Sequence, residues 1–185
     1  MNISSKLSAL LITIALLLII NGSYIQAKAW LSQKLIANSF NKQMENSFIT
    51  KPWPWADTHA IAKVERNNTV SYVLAGANMR NLAFGPAHMA VTPLPGEHGN
   101  SVIVGHRDTH FSFLENVLVG EKLYITTAKG RTEYRVEETM IINESDLAVV
   151  QSLPYTALTL ITCYPFNSIE PNPTKRYVVR AVKAA

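Results

Sequence analysis

The chain has 185 residues with a hydrophobic fraction of 48%, eight glycines and nine prolines. That is enough for one domain plus a short appendage, with a core that needs no disulfide or structural metal. The net charge of +4 comes from scattered basic residues, with no run of Lys and Arg interleaved with aromatics, which argues against a nucleic-acid footprint.

Lys6 precedes the apolar run LSALLITIALLLII at 7–20, the pattern of an export segment. Residues 1–22 therefore read as an N-terminal membrane anchor or a signal segment. The run is short for a span, and Ala27-Lys28-Ala29 offers a small-x-small cleavage site. That site lies far past the run, however, and Ile3 to Gly22 taken together are long enough to cross. Either way the bulk of the chain is expected outside the cytoplasm. Residues 23–50 read as a helical linker, with Ile25, Ala29, Leu35, Ile36, Phe40 and Met44 at helix-compatible steps. Lys51-Pro52-Trp53-Pro54-Trp55 then forbids helix and predicts an extended arm clamped to the domain by two large rings.

From residue 51 to 185 the pattern is that of a β domain. Period-two or apolar runs at 60–65, 69–76, 101–105, 122–127, 132–142, 157–162 and 176–182 are bounded by turn residues. Short helices are expected at 110–118 and 144–151. Seven or more strands with few helices predict a closed or nearly closed antiparallel barrel.

Cys163 is the only cysteine, so its thiol is intermolecular, buried and inert, or reactive. It ends the run ALTLITC, directly before Tyr164-Pro165. A reactive thiol needs a proton acceptor and donors aimed at the oxyanion of a tetrahedral intermediate. His106 ends the strand SVIVG in the same way, whereas His59 and His88 lie among apolar neighbours and His98 in a Pro-Gly loop. His106 and His110 are four apart, but no Glu lies between them and no third ligand stands out, so the zinc pattern is incomplete. Arg176 and Arg180 share one face of the last strand. Either offers a fixed guanidinium fork.

TLITC (159–163), GHR (105–107) and KRYVVRA (175–181) together resemble the signature strands of sortases, cysteine transpeptidases that process secreted proteins at the cell surface. PWPWADT (52–58), LAFGPAH (82–88), GHRDTHF (105–111) and TCYPF (162–166) are similar to the class GN subgroup of Gram-negative proteobacteria. The resemblance implies a mainly β fold, a closed antiparallel or mixed barrel of about eight strands with short helices and an N-terminal helix. It implies Cys163 as nucleophile, His106 as proton-transfer partner and Arg176 as oxyanion and substrate-positioning group. Thr162 and Tyr164 are expected to touch substrate, and Asp108 stays outside the catalytic set. It also implies a sorting-signal-bearing exported protein and an amine acceptor as partners. The chain would be held by a single pass in the inner membrane with its domain in the periplasm. No metal or organic cofactor is implied; some sortases respond to calcium, but no compact acidic cluster here demands it. Two alternatives stand beside this. A papain-like hydrolase would place its cysteine before its histidine, and a murein transpeptidase would carry a local Ser-His-Gly-Cys run. A non-enzymatic, membrane-tethered β-barrel binding module would keep Cys163 buried.

Overall fold

The computed structural model describes residues 3–184. The first two residues of the segment read as an anchor, and the side chain of Ile25, lie outside the described residues. Helix α1 runs unbroken from Ile3 to Asn46, about 66 Å at 1.5 Å per residue, so the apolar run and the linker form one rod. The described side chains of its N-terminal half, including Leu10, Leu17 and Ile20, are exposed, and the helix is long and apolar enough to cross a membrane by length and composition. The C-terminal half docks on the barrel through Ser32, Ile36, Ser39, Phe40 and Gln43, positions that share one helical face. Ala29, expected on that face, is exposed, because the docked stripe begins only at Ser32. The Pro-Trp arm also differs from expectation. Trp53 packs edge-on against Phe84 at 5.2 Å, but Trp55 is 83% exposed, so one ring clamps and the other does not.

Eight strands follow: β1 (Ala60–Arg66), β2 (Thr69–Ala75), β3 (Ala87–His88), β4 (Asn100–Val104), β5 (Lys122–Thr127), β6 (Gly130–Asn143), β7 (Ala157–Tyr164) and β8 (Lys175–Lys183). They close in the order β1-β2-β3-β4-β7-β8-β6-β5. The pairings β2–β3 and β4–β7 are parallel and the others antiparallel, so the barrel is mixed. Between β2 and β3 lies a one-turn helix α2 (Met79–Leu82), capped by the Asn78 side chain. The helices expected at 110–118 and 144–151 are 3-10 turns, at Ser112–Asn116 and Leu147–Val150.

Alternation along the strands separates two apolar layers. Ile103, Leu158, Leu160, Val179 and Tyr134 fill the barrel interior. Val102, Ile161 and Val178 point outward and are covered by Val149 from the second 3-10 turn. Cys163 follows Ile161 by two residues, so it belongs to the outer face. A cysteine two residues further on would otherwise be sealed, but the cover stops short of it.

Candidate active site

The fold brings three distant side chains to one cleft. The parallel pairing of β4 with β7 matches Asn100 to Ala157 and proceeds without a shift to Val104 and Ile161. His106 leaves the end of β4 two residues past that pairing and lines the same cleft as Cys163. On the other flank Cys163 is the direct antiparallel partner of Arg176. His106, Cys163 and Arg176 thus come from the ends of three neighbouring strands or the residues just past them. All three line one cleft of about 400 Å³, walled by Met79 and Leu82 of α2, by Pro171–Pro173 and by Glu144. Cys163 is half-buried and His106 exposed, and both line the cleft.

Local packing fixes the end of β4. A Cβ at Gly105 would stand 2.8 Å from the Phe111 ring, so only glycine lets the chain pass this close. The Gly105 N–H donates to Ile161 O at 3.1 Å, and the chain then turns back with Phe111 N–H donating to His106 O at 3.0 Å. Thr162 Oγ1 donates to Gly105 O at 2.7 Å. Thr162 is 2% exposed and lines the cleft, and this hydroxyl ties the two strand ends together. Tyr164 does not line the cleft. It stacks on Tyr177 and meets Phe166 edge-on, both at 6.3 Å.

Arg176 is held from three sides. Nη1 donates to Pro173 O at 2.6 Å and Lys175 O at 3.0 Å, and Nη2 to Glu144 Oε2 at 2.7 Å. A guanidinium has five N–H donors, so these bonds leave two uncommitted. Arg180, the other arginine weighed, pairs with Glu138 at 2.6 Å and does not reach the cleft. Asp108 pairs with Arg107 at 3.4 Å.

Two residues here escaped sequence reasoning. Arg107 is 7% exposed, and its Nη2 donates to Ser168 O and Glu170 O at 2.6 and 2.8 Å. It straps the β7–β8 connection, and with it the Pro171–Pro173 wall, to the residue beside His106. Its only sequence signal was adjacency to His106. Glu144 lies just past β6, and the pairing Ile142↔Arg176 is what brings it to the guanidinium; without that register the sequence holds no sign of it. His110 shares the local field: burial first, and then the nearby His106 charge, lower its imidazole pKa.

A family model for the Sortase domain matches residues 62–184. The chain is 28% identical over 139 residues to sortase D of Bacillus subtilis, a match covering 74% of this chain and 69% of that protein. It is 34% identical over 110 residues to sortase A of Listeria monocytogenes, covering 57% and 47%. Among solved structures, sortase A from Corynebacterium diphtheriae superposes with a TM-score of 0.64 at 26% identity, covering 71% of this chain and 63% of that one. The chain therefore spans from about half to about two thirds of these relatives' lengths. With the barrel, the ordered His, Cys and Arg motifs and these matches agreeing, the chain belongs to the sortase family of cysteine transpeptidases.

Proposed function

We propose that the chain cleaves a C-terminal sorting signal of an exported protein through a thioester on Cys163 and passes the acyl group to an amine. The observation that supports this is the shared lining of one cleft by His106, Cys163 and Arg176, with Cys163 and Arg176 paired across β7 and β8. Cys163 Sγ, as thiolate, attacks the scissile carbonyl carbon, and the carbonyl oxygen becomes an oxyanion that accepts hydrogen bonds from Arg176. The C–N bond then breaks as His106, protonated, gives its proton to the leaving amine. In the second half an acceptor amine attacks the thioester and His106 takes its proton. The sulfur departs as thiolate and a new amide replaces the old one. Glu144 and the Pro173 carbonyl orient the guanidinium while it waits, and Thr162 and Arg107 hold the histidine strand and the cleft wall in place. These residues act through others and do not take part in bond making.

The reading includes a location. The exposed apolar half of α1 serves as a single-pass anchor in the inner membrane, with the barrel in the periplasm. PWPWADT, LAFGPAH and TCYPF support membership in the class GN subgroup. The test is capture of the acyl-enzyme. Full chain incubated with an envelope extract should gain a hydroxylamine-labile peptide adduct on Cys163, seen by intact mass, and Cys163→Ala should gain none. An Ala variant that cleaves the captured substrate at the normal rate would overturn the proposal.

A further inference from the structure

Helix α1 joins the apolar segment to the barrel without a joint. It contains no proline and runs unbroken through Gly22 and Ser23, the one Gly-Ser pair that could kink it. Its C-terminal half is clamped to the barrel by packing. Ile36 and Phe40 lie against Ala60, Leu74 and Ala87, and Phe40 meets the Tyr72 ring at 5.5 Å. Gln33 Nε2 donates to Phe84 O at 2.5 Å. A barrel packed in this way on a rod that continues into a membrane has its height above the bilayer set by the helix.

Two contacts give the height of the catalytic cleft along the rod. Phe84 O is bonded to Gln33, and Arg80 of α2 shares a pocket with Lys28, so α2 stands level with the turns from Lys28 to Gln33. Met79 and Leu82 of the same short helix wall the cleft that holds Cys163. The apolar run ends at Ile20, eight residues before Lys28 and thirteen before Gln33, which is about 12–20 Å along the axis. The headgroup layer of a leaflet takes up about 5–8 Å of that. With the apolar half of α1 in the hydrocarbon, the cleft wall stands close above the bilayer surface, at a level fixed by helix geometry.

We infer that α1 is a ruler. It holds the cleft at one height above the leaflet, and so selects among membrane-held peptides by the length of chain between the bond to be cleaved and their own attachment. At about 3.3–3.6 Å per extended residue, a peptide held in the same leaflet needs about four to six residues there. A shorter spacing cannot bring the bond to Cys163, however well the peptide fits the cleft, and a much longer one dilutes it. The inference rests on the anchoring part of the function proposed above and is independent of the chemistry at Cys163.

The test uses the full chain in phosphatidylcholine vesicles, with maleimide tethered to phosphatidylethanolamine headgroups through polyproline spacers that add about 3 Å per residue. Cys163 is the only cysteine and reports from the cleft. Met79→Cys in a Cys163→Ser chain reports from its wall, where Met79 is 79% exposed. Soluble maleimide calibrates each thiol. Labelling should be negligible until the spacer spans the gap and rise about tenfold or more there, because a tether that cannot reach has an effective concentration near zero. Inserting Ala-Glu-Ala-Ala-Ala-Lys-Ala after Gln26 adds two helical turns, about 10 Å, and should move that onset by about three prolines. A Gly-Ser insertion of the same length should abolish the sharp onset. Equal labelling at every spacer length, an onset unmoved by the helical insertion, or one still sharp with the Gly-Ser insertion overturns the ruler. Flotation after a carbonate wash reads the anchor, and a chain released by it overturns anchor and ruler together. A wall thiol that shows the onset while the native Cys163 resists even soluble maleimide overturns the chemistry proposed at Cys163 and leaves the ruler standing.

Discussion

Two rows cross the outer face of β7, four residues apart, and they are built from similar parts. In one, Thr159 is paired with Arg180, and Arg180 with Glu138 at 2.6 Å. In the other, Cys163 is paired with Arg176, and Arg176 with Glu144 at 2.7 Å. The first is closed. Thr159 is fully buried and donates to Asn100 Oδ1 at 2.6 Å, and Arg180 Nε is buried without a partner. The second lines the cleft, which the exposed His106 also lines. Hydroxyl or thiol, guanidinium and carboxylate recur in both, so residue types do not distinguish a structural row from a reactive one. Where the apolar cover of Val149 and Ile161 ends decides it, because only past that edge can a carbonyl approach.

The comparison breaks first at the arginines. Arg176→Lys keeps the charge and loses the planar fork, so kcat/KM should fall about 10²–10³-fold, the size of one lost oxyanion donor. Arg180→Lys should leave steady-state kinetics within about threefold, since Arg180 touches no cleft wall. Equal losses in the two variants would remove the distinction. A smaller effect is expected at the strand end that carries the histidine. Gly105→Ala forces a methyl to 2.8 Å from Phe111 and should cost about 1–3 kcal/mol in denaturant unfolding. Displacing His106 should lower turnover about tenfold or more. A variant of wild-type stability and rate would show that close approach is not what holds His106 at the cleft.

The smallest effect concerns pH. His110 has its pKa lowered by burial and then by the His106 charge. The unfolded chain therefore binds the extra proton first as pH falls below the ordinary imidazole value of ~6.5. Stability is full above that value and is lost on the way down toward the folded pKa. His110→Gln should flatten this acid arm of the unfolding curve, and His106→Gln should flatten it in part. An arm unchanged in both variants would mean that other groups carry it.

The barrel was legible because period-two runs bounded by Pro, Gly and Asn mark most of its strands. β3 was not, since two residues, Ala87 and His88, cannot display a period. The mixed character was equally hidden, because alternation is the same for parallel and antiparallel neighbours. His106 and Cys163 could be picked out by their position at strand ends, while choosing Arg176 over Arg180 took the family resemblance. Thr162 lines the cleft as expected, while its hydroxyl bond to Gly105 O, which depends on the packing of two strand ends, was not legible in the sequence. Tyr164 belongs to an aromatic cluster with Phe166 and Tyr177 that closes one end of the barrel core. Glu144 and Arg107 act through pairings between segments far apart in sequence, and such pairings follow from register alone.

Alkylation of the native full chain, compared with the same chain in denaturant, tests most directly whether the open row presents its sulfur to the cleft. Cys163 should react with iodoacetamide in the folded protein at a rate within about tenfold of the unfolded thiol, and an occupied acyl-enzyme should block the reaction. Labelling that appears only as the barrel unfolds would place Cys163 with Thr159 among the sealed residues and contradict the account.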